Sequence, residues 1–126
     1  MTELRLELLD DTFTIHRLSP SGKIPDEVFG ELFFNIVKTK EELSIVCRNS
    51  LNLNSERSNR KWSCIKVSGP LKLNATGILA KLSKVLEEAE ISIFAVSTYD
   101  TDYILIPEEK TNTAVAALRK AGYQFK

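Results

Sequence analysis

The stretch WSCIKVSGPLKLNATGILAKLSKVLEEAEISIFAVSTYDTDYILIP, residues 62–107, decides the fold. Its hydrophobic period changes twice. Trp62–Val67 alternates apolar and polar residues, the pattern of a half-buried strand, and Gly69-Pro70 breaks it. Between 74 and 90, Ile78, Leu79, Leu82, Val85, Leu86 and Ala89 recur at helical spacing, while Lys81, Lys84, Glu87 and Glu88 face away. Asn74 or Thr76 is placed to cap this helix. Ile91–Ser97 and Tyr103–Ile106 read as strands around the polar run Thr98-Tyr99-Asp100-Thr101-Asp102, and Pro107 stops the second. Thr111–Ala121 is amphipathic through Ala114, Val115 and Leu118. Gly122 suits the position just past a helix, and Tyr123-Gln124-Phe125 a last short strand. The order from Trp62 is β-α-β-β-α-β, the ferredoxin-like pattern.

The first half is less regular. Leu4, Leu6 and Leu8 alternate with Glu3, Arg5 and Glu7, Asp10-Asp11 reads as a turn, and Thr12–Leu18 alternates again, so a hairpin is expected. SPSGKIP (19–25) is loop, and Asp26–Gly30 suits one helical turn. Leu32–Val37 and Leu43–Cys47 read as strands, and NSLNLNSERSNRK (49–61) as a polar linker. Residues 33–46 align without a gap over 93–106, both strand–turn–strand, with Glu42 on Asp102. The expected fold is therefore α+β: two tandem ferredoxin-like units, 1–60 and 61–126, the first degenerate. Units of about 60 residues bury little surface alone, which gives such a pair a reason to pack.

Composition narrows the function. At 126 residues, 43% hydrophobic and 27% charged, the chain suits a soluble globular protein. The net charge is zero, so no nucleic-acid or membrane surface is expected. No apolar run approaches the ~20 residues that span a bilayer. The opening MTELRLELLDD is acidic and alternating, unlike a secretory leader. A cytoplasmic location is expected. Cys47, Cys64 and the single His16 cannot make a standard zinc set, and both cysteines sit in apolar strands. No metal and no cofactor are expected. Nor is catalysis: GxxxxGK[ST] and GxSxG are absent, and His16 has no obvious nucleophile nearby. Asp100 and Asp102 would need raised pKa values for acid–base work, and a polar turn is a poor place for that.

WSCIKVSGPL and TGILAKLSKVLEEAEISIFAVSTYDTDYILIPEE closely resemble the ACT-like domains of small tandem-ACT proteins, a family related to the regulatory domains of aspartokinases and to the cytosolic arginine sensor. The resemblance is strong over residues 62–107. It extends to EELSIV (41–46) in the first half. It implies a regulatory module that binds a small amino-acid-like ligand at the interface between ACT units and signals through assembly or a partner protein. It also implies that the chain forms a homodimer. Carried over residue by residue, the ligand site comprises Asn74, Thr76, Gly77 and Ile78 before and at the first helix. It continues with Ser97, Thr98, Tyr99, Asp100 and Asp102 in the strand–turn–strand segment, and with Glu41 and Glu42 from the first half. The residue types suit the task. A helix N-terminus offers N–H donors to a carboxylate, and acids accept from an ammonium or guanidinium. Tyr99 is able to cover a cation with its ring. Each also has a structural reading: Thr76 as a helix cap, Gly77 as a tight helix–sheet contact, the acids as solvated turn residues, Tyr99 as a surface aromatic. The alternative function is a dimerisation module whose ligand site is vestigial.

Overall fold

In the computed structural model, which describes residues 5–68 and 77–126, the backbone stays extended straight through Asp10-Asp11, both exposed. The expected hairpin is instead one 14-residue strand, β1 (Arg5–Leu18). A tight hairpin turn favours residues at positive φ, glycine above all, and Asp10-Asp11 has no glycine. Both halves of β1 also find partners. Arg5 and Leu6 pair in parallel with Gln124 and Phe125, and Phe13–Leu18 pair antiparallel with Arg48–Leu43.

The other elements are a 3-10 turn (Asp26–Gly30), β2 (Asn35–Lys38), β3 (Leu43–Arg48), β4 (Arg57–Ser68), α1 (Ile78–Glu88), β5 (Phe94–Ser97), β6 (Asp102–Pro107), a 3-10 turn (Glu108–Lys110), α2 (Thr111–Lys120) and β7 (Gln124–Phe125). From β4 onward the order is β-α-β-β-α-β, as the periodicity predicts. β4 begins five residues before Trp62. Its residues Arg57–Lys61 are all exposed, and such a stretch carries no apolar alternation to read.

The chain forms two compact units, Met1–Asp10 with Ser63–Lys126, and Asp11–Trp62. The sequence reading places all of 1–60 in the first unit, whereas the structure groups Met1–Asp10 with the second half. Leu6 supplies the reason. It is fully buried in a core with Ile65, Leu82, Leu86, Ile104 and Leu118, and its carbonyl accepts from the Lys126 N–H at 2.8 Å. In this larger unit β7 lies beside β1, β1 beside β4, β4 beside β6, and β6 beside β5. Both helices bury one face in the same core.

The smaller unit holds β2, β3 and the second half of β1 around Leu18, Val28, Leu43, Ile45, Cys47 and Leu53, and has no α-helix. Its Glu31 carboxylate is buried and takes Arg48 Nε and Nη2 at 3.0 Å each, a hydrogen-bonded pairing that holds Glu31 below the ordinary carboxylate range.

The hairpin repeat is present, but its register differs by one residue from the expected one. The closing pairs are Lys38↔Leu43 and Ser97↔Asp102, each enclosing four loop residues. Thr39 therefore matches Thr98, Glu42 matches Thr101, and Leu43 matches Asp102. The bonding repeats too. Thr39 N donates to Glu42 O and Thr98 N to Thr101 O, both at 2.8 Å. Each threonine Oγ1 accepts from the N–H three residues on, at 3.1 and 3.2 Å. The gapless alignment set acid on acid, but the threonine that closes the turn determines the register.

Helix ends explain the special backbone. Gly77 occupies the N-cap position of α1 at φ 79 with no side-chain cap bond, while Asn74 and Thr76 lie outside the described residues. Gly122, at φ 103, ends α2 as expected, with Tyr123 N donating to Leu118 O at 3.0 Å. α1 ends the same way, with Ile91 N donating to Leu86 O at 2.9 Å, but the left-handed position is held by Glu90 at φ 61. A side chain there costs about 1 kcal/mol. Glu90→Gly is therefore expected to raise stability by up to ~1 kcal/mol. In urea, the midpoint should rise at unchanged slope, and a lower midpoint would contradict the assignment.

Candidate functional site

The polar run between β5 and β6 divides its work. Thr98 and Thr101 close the turn, their hydroxyls lying 2.8 Å apart, and the Thr98 hydroxyl lies 3.1 Å from the Thr101 carbonyl. At the base, Ser97 Oγ donates to Asp102 Oδ1 at 2.6 Å, a short bond to an ionised acceptor that orients the carboxylate. Its second oxygen is left to accept elsewhere. At the tip, Tyr99 is 76% exposed and Asp100 is exposed. Among the described residues, neither Asp100 nor Asp102 has a cation within salt-bridge distance. The arrangement is a rigid turn with an oriented carboxylate, a second acid and an open aromatic face. Such a set suits a ligand ammonium or guanidinium.

The matching turn in the smaller unit has the same lock but different chemistry. Lys38 and Leu43 stand where the larger unit has Ser97 and Asp102, and Lys40 and Glu41 where it has Tyr99 and Asp100. The Glu41 carbonyl accepts from Arg17 Nη2 at 3.3 Å, and Glu42 lends its backbone to the Thr39 turn. The repeat therefore supplies no equivalence between Glu42 and Asp102.

At the helix start, Gly77 is exposed, and a Cβ built there would meet no atom of the described residues within 4 Å. Its requirement for glycine is conformational, not a tight helix–sheet contact, and the backbone there is open to approach. Ile78 packs against the core of the larger unit. A shallow surface depression of about 580 Å³ lies elsewhere on α1, lined by Ala80, Ser83, Lys84, Glu87, Glu90 and the run 91–93. It includes none of the expected site residues. It opens along the polar face of the helix, where Lys84, Glu87 and Glu90 are exposed.

Both thiols are buried and free. Desolvation, with a smaller contribution from Glu31, pushes Cys47 up to about 11, and desolvation pushes Cys64 up to about 12. Among the described residues no three His, Cys, Asp or Glu gather as a metal site. No helix among them is long and apolar enough to cross a membrane. Because the thiolate is the nucleophile, both cysteines should resist iodoacetamide at about pH 8 in the native protein and react fully in denaturant. Rapid native labelling, read by mass spectrometry, would show that the assigned burial is wrong.

A family model for the ACT domain matches residues 57–120, and a second, for an N-terminal domain, matches 11–51. The cytosolic arginine sensor for mTORC1 subunit 1 of Homo sapiens is 30% identical over 64 residues, which cover 50% of this chain and 20% of the sensor, and that of Bos taurus matches equally. A crystal structure of an Agobacterium tumefaciens protein superimposes with a TM-score of 0.90 at 33% identity, covering 100% of this chain and 94% of that one. The regulatory subunit of aspartate kinase from Thermus thermophilus shares the fold, with a TM-score of 0.65 at 14% identity over 96% of this chain and 98% of its own. With the ferredoxin-like order in place and the family's model spanning half of its length, the chain belongs to the ACT domain family.

Proposed function

We propose that this chain is a regulatory amino-acid-binding protein. The observation that carries the reading is the Asp102 carboxylate, oriented by Ser97 at 2.6 Å on a locked, exposed turn and without a cation among the described residues. Membership of the ACT family and the likeness to an arginine sensor support the same reading. The proposed site takes Asp102 and Asp100 as acceptors for the ligand's cationic group, Tyr99 as its cover, and Ser97 and Thr98 as the frame. Asn74, Thr76, Gly77 and Ile78, at and before the start of α1, supply backbone donors for its carboxylate. Topology favours their meeting. A helix between two strands of one sheet returns the chain to its starting end, so β4 and β5 run the same way. The turn after β5 and the end of β4 at Ser68 then lie at one end of the larger unit.

Glu41 and Glu42 are further acceptors in this proposal, which places the ligand at an interface between ACT units. Exposed sheet edges favour a homodimer. The chain acts in the cytoplasm without turnover, and its output lies in assembly or in a partner protein. A ligand shifts such an equilibrium only by its differential affinity for the two states.

A thermal-shift screen against the twenty amino acids tests the reading. Ligand at ~100-fold excess over Kd should add roughly 2.7 kcal/mol of stability. Calorimetry on Asp102→Ala should then show binding weakened at least ~10-fold, with ligand-free stability near wild type. Equal binding by the mutant would move the site off this turn. A dimer that no amino acid stabilises would favour the reading of a dimerisation module with a vestigial site.

A further inference from the structure

The smaller unit covers a sheet face without a helix. Thr12, Thr14, His16 and Leu18 alternate along β1 and so share one face. The irregular segment 49–56 is fastened across it. Asn49 Nδ2 donates to Thr12 Oγ1 at 2.8 Å, and Thr14 Oγ1 donates to Asn49 Oδ1 at 2.6 Å. Leu53 is buried in the core with Leu18. Ser55 Oγ lies 2.9 Å from His16 Nδ1, and Glu56 reaches Arg17 at 3.9 Å.

His16 is the unusual fastening. It is 5% exposed, and its Nε2 is buried with no hydrogen-bond partner among the described residues. A neutral imidazole fits this site by donating from Nδ1 to Ser55 and leaving Nε2 bare. Protonation would put an N–H and a charge on Nε2, where no acceptor stands among the described residues. The surroundings offer no relief. β3 presents Ile45 opposite His16, β4 brings the like charge of Arg60, and on β1 itself Arg17 is engaged with Glu56 of the segment.

We propose that Asn49–Glu56 is an acid-released strap, latched while His16 is neutral and freed when it is protonated. The inference is independent of the amino-acid site. Burial, and then Arg60, lower the His16 pKa from its ordinary 6.5. The opened state therefore takes up a proton more readily than the latched one. The latch is at full strength above about pH 6.5 and weakens as pH falls toward and through the lowered value.

Hydrogen exchange at about pH 5 and about pH 7.5, corrected for intrinsic rates, tests this. Amides of residues 50–56 should lose protection by at least ~10-fold at the lower pH, while those of β5 and β6 keep theirs. In His16→Gln, which keeps a hydrogen-bonding side chain that does not titrate, the strap's pH dependence should vanish. Persistence in that variant, or no pH dependence in the wild type, would overturn the proposal. Should His16→Gln fail to fold, an NMR titration of the wild-type imidazole decides. A midpoint below 6.5 shared by the strap amides supports the latch, and a midpoint at or above 6.5 rejects it.

Discussion

The double use of β1 is the constraint on which the rest depends. Its first residues complete the larger unit, where Leu6 is fully buried and Arg5 and Leu6 pair with β7. Its second half pairs with β3 in the smaller unit. The chain must therefore run extended through Asp10-Asp11, which explains why two adjacent acids stay in a strand. β4 is shared in the same way, with Arg57–Trp62 in one unit and Ser63 onward in the other. The larger unit is therefore built from two separate pieces of sequence, Met1–Asp10 and Ser63–Lys126, and the second half alone does not complete its core.

On this frame the same turn is built twice and used differently. Thr39 and Thr98 lock four-residue loops with the same bonds. Backbone geometry is thus held constant while the flanking pair varies. Lys38 and Leu43 make the first turn a plain connection. Ser97 and Asp102 give the second an oriented carboxylate with no cation beside it among the described residues. The smaller unit has also exchanged helices for a polar strap anchored by Asn49. Asn49 Oδ1 additionally accepts from the Lys61 N–H at 3.2 Å, satisfying a backbone group where the strand turns left-handed at φ 66.

Much of the larger unit was legible because its signals are local. Helical spacing marks α1 and α2, Gly122 marks the end of α2, and apolar runs mark β5 and β6. The losses were of three physical kinds. Arg57–Lys61 is strand with every residue exposed, so hydrophobic period is silent there. Asp10-Asp11 resembles a turn until the distant partners of the residues on either side, Phe125 for Leu6 and Arg48 for Phe13, are known. The repeat was placed one residue out because Glu42 and Asp102 share a charge, whereas aligning Thr39 with Thr98 gives the observed register. In the candidate site, Thr98 and Asp102 were readable as residue types. The Ser97–Asp102 bond depended on strand register and was not. The pairing of His16 with Ser55, thirty-nine positions apart, has no sequence signal at all.

The most direct measurement is an amide NMR titration of the wild-type protein with whichever amino acid stabilises it. The account predicts that shift changes concentrate at Ser97–Asp102 and at Gly77 and Ile78, where the oriented carboxylate and the open helix start lie. Changes centred instead on Lys84, Glu87 and Glu90, with the threonine-locked turn unmoved, would contradict it and place the ligand in the depression along α1.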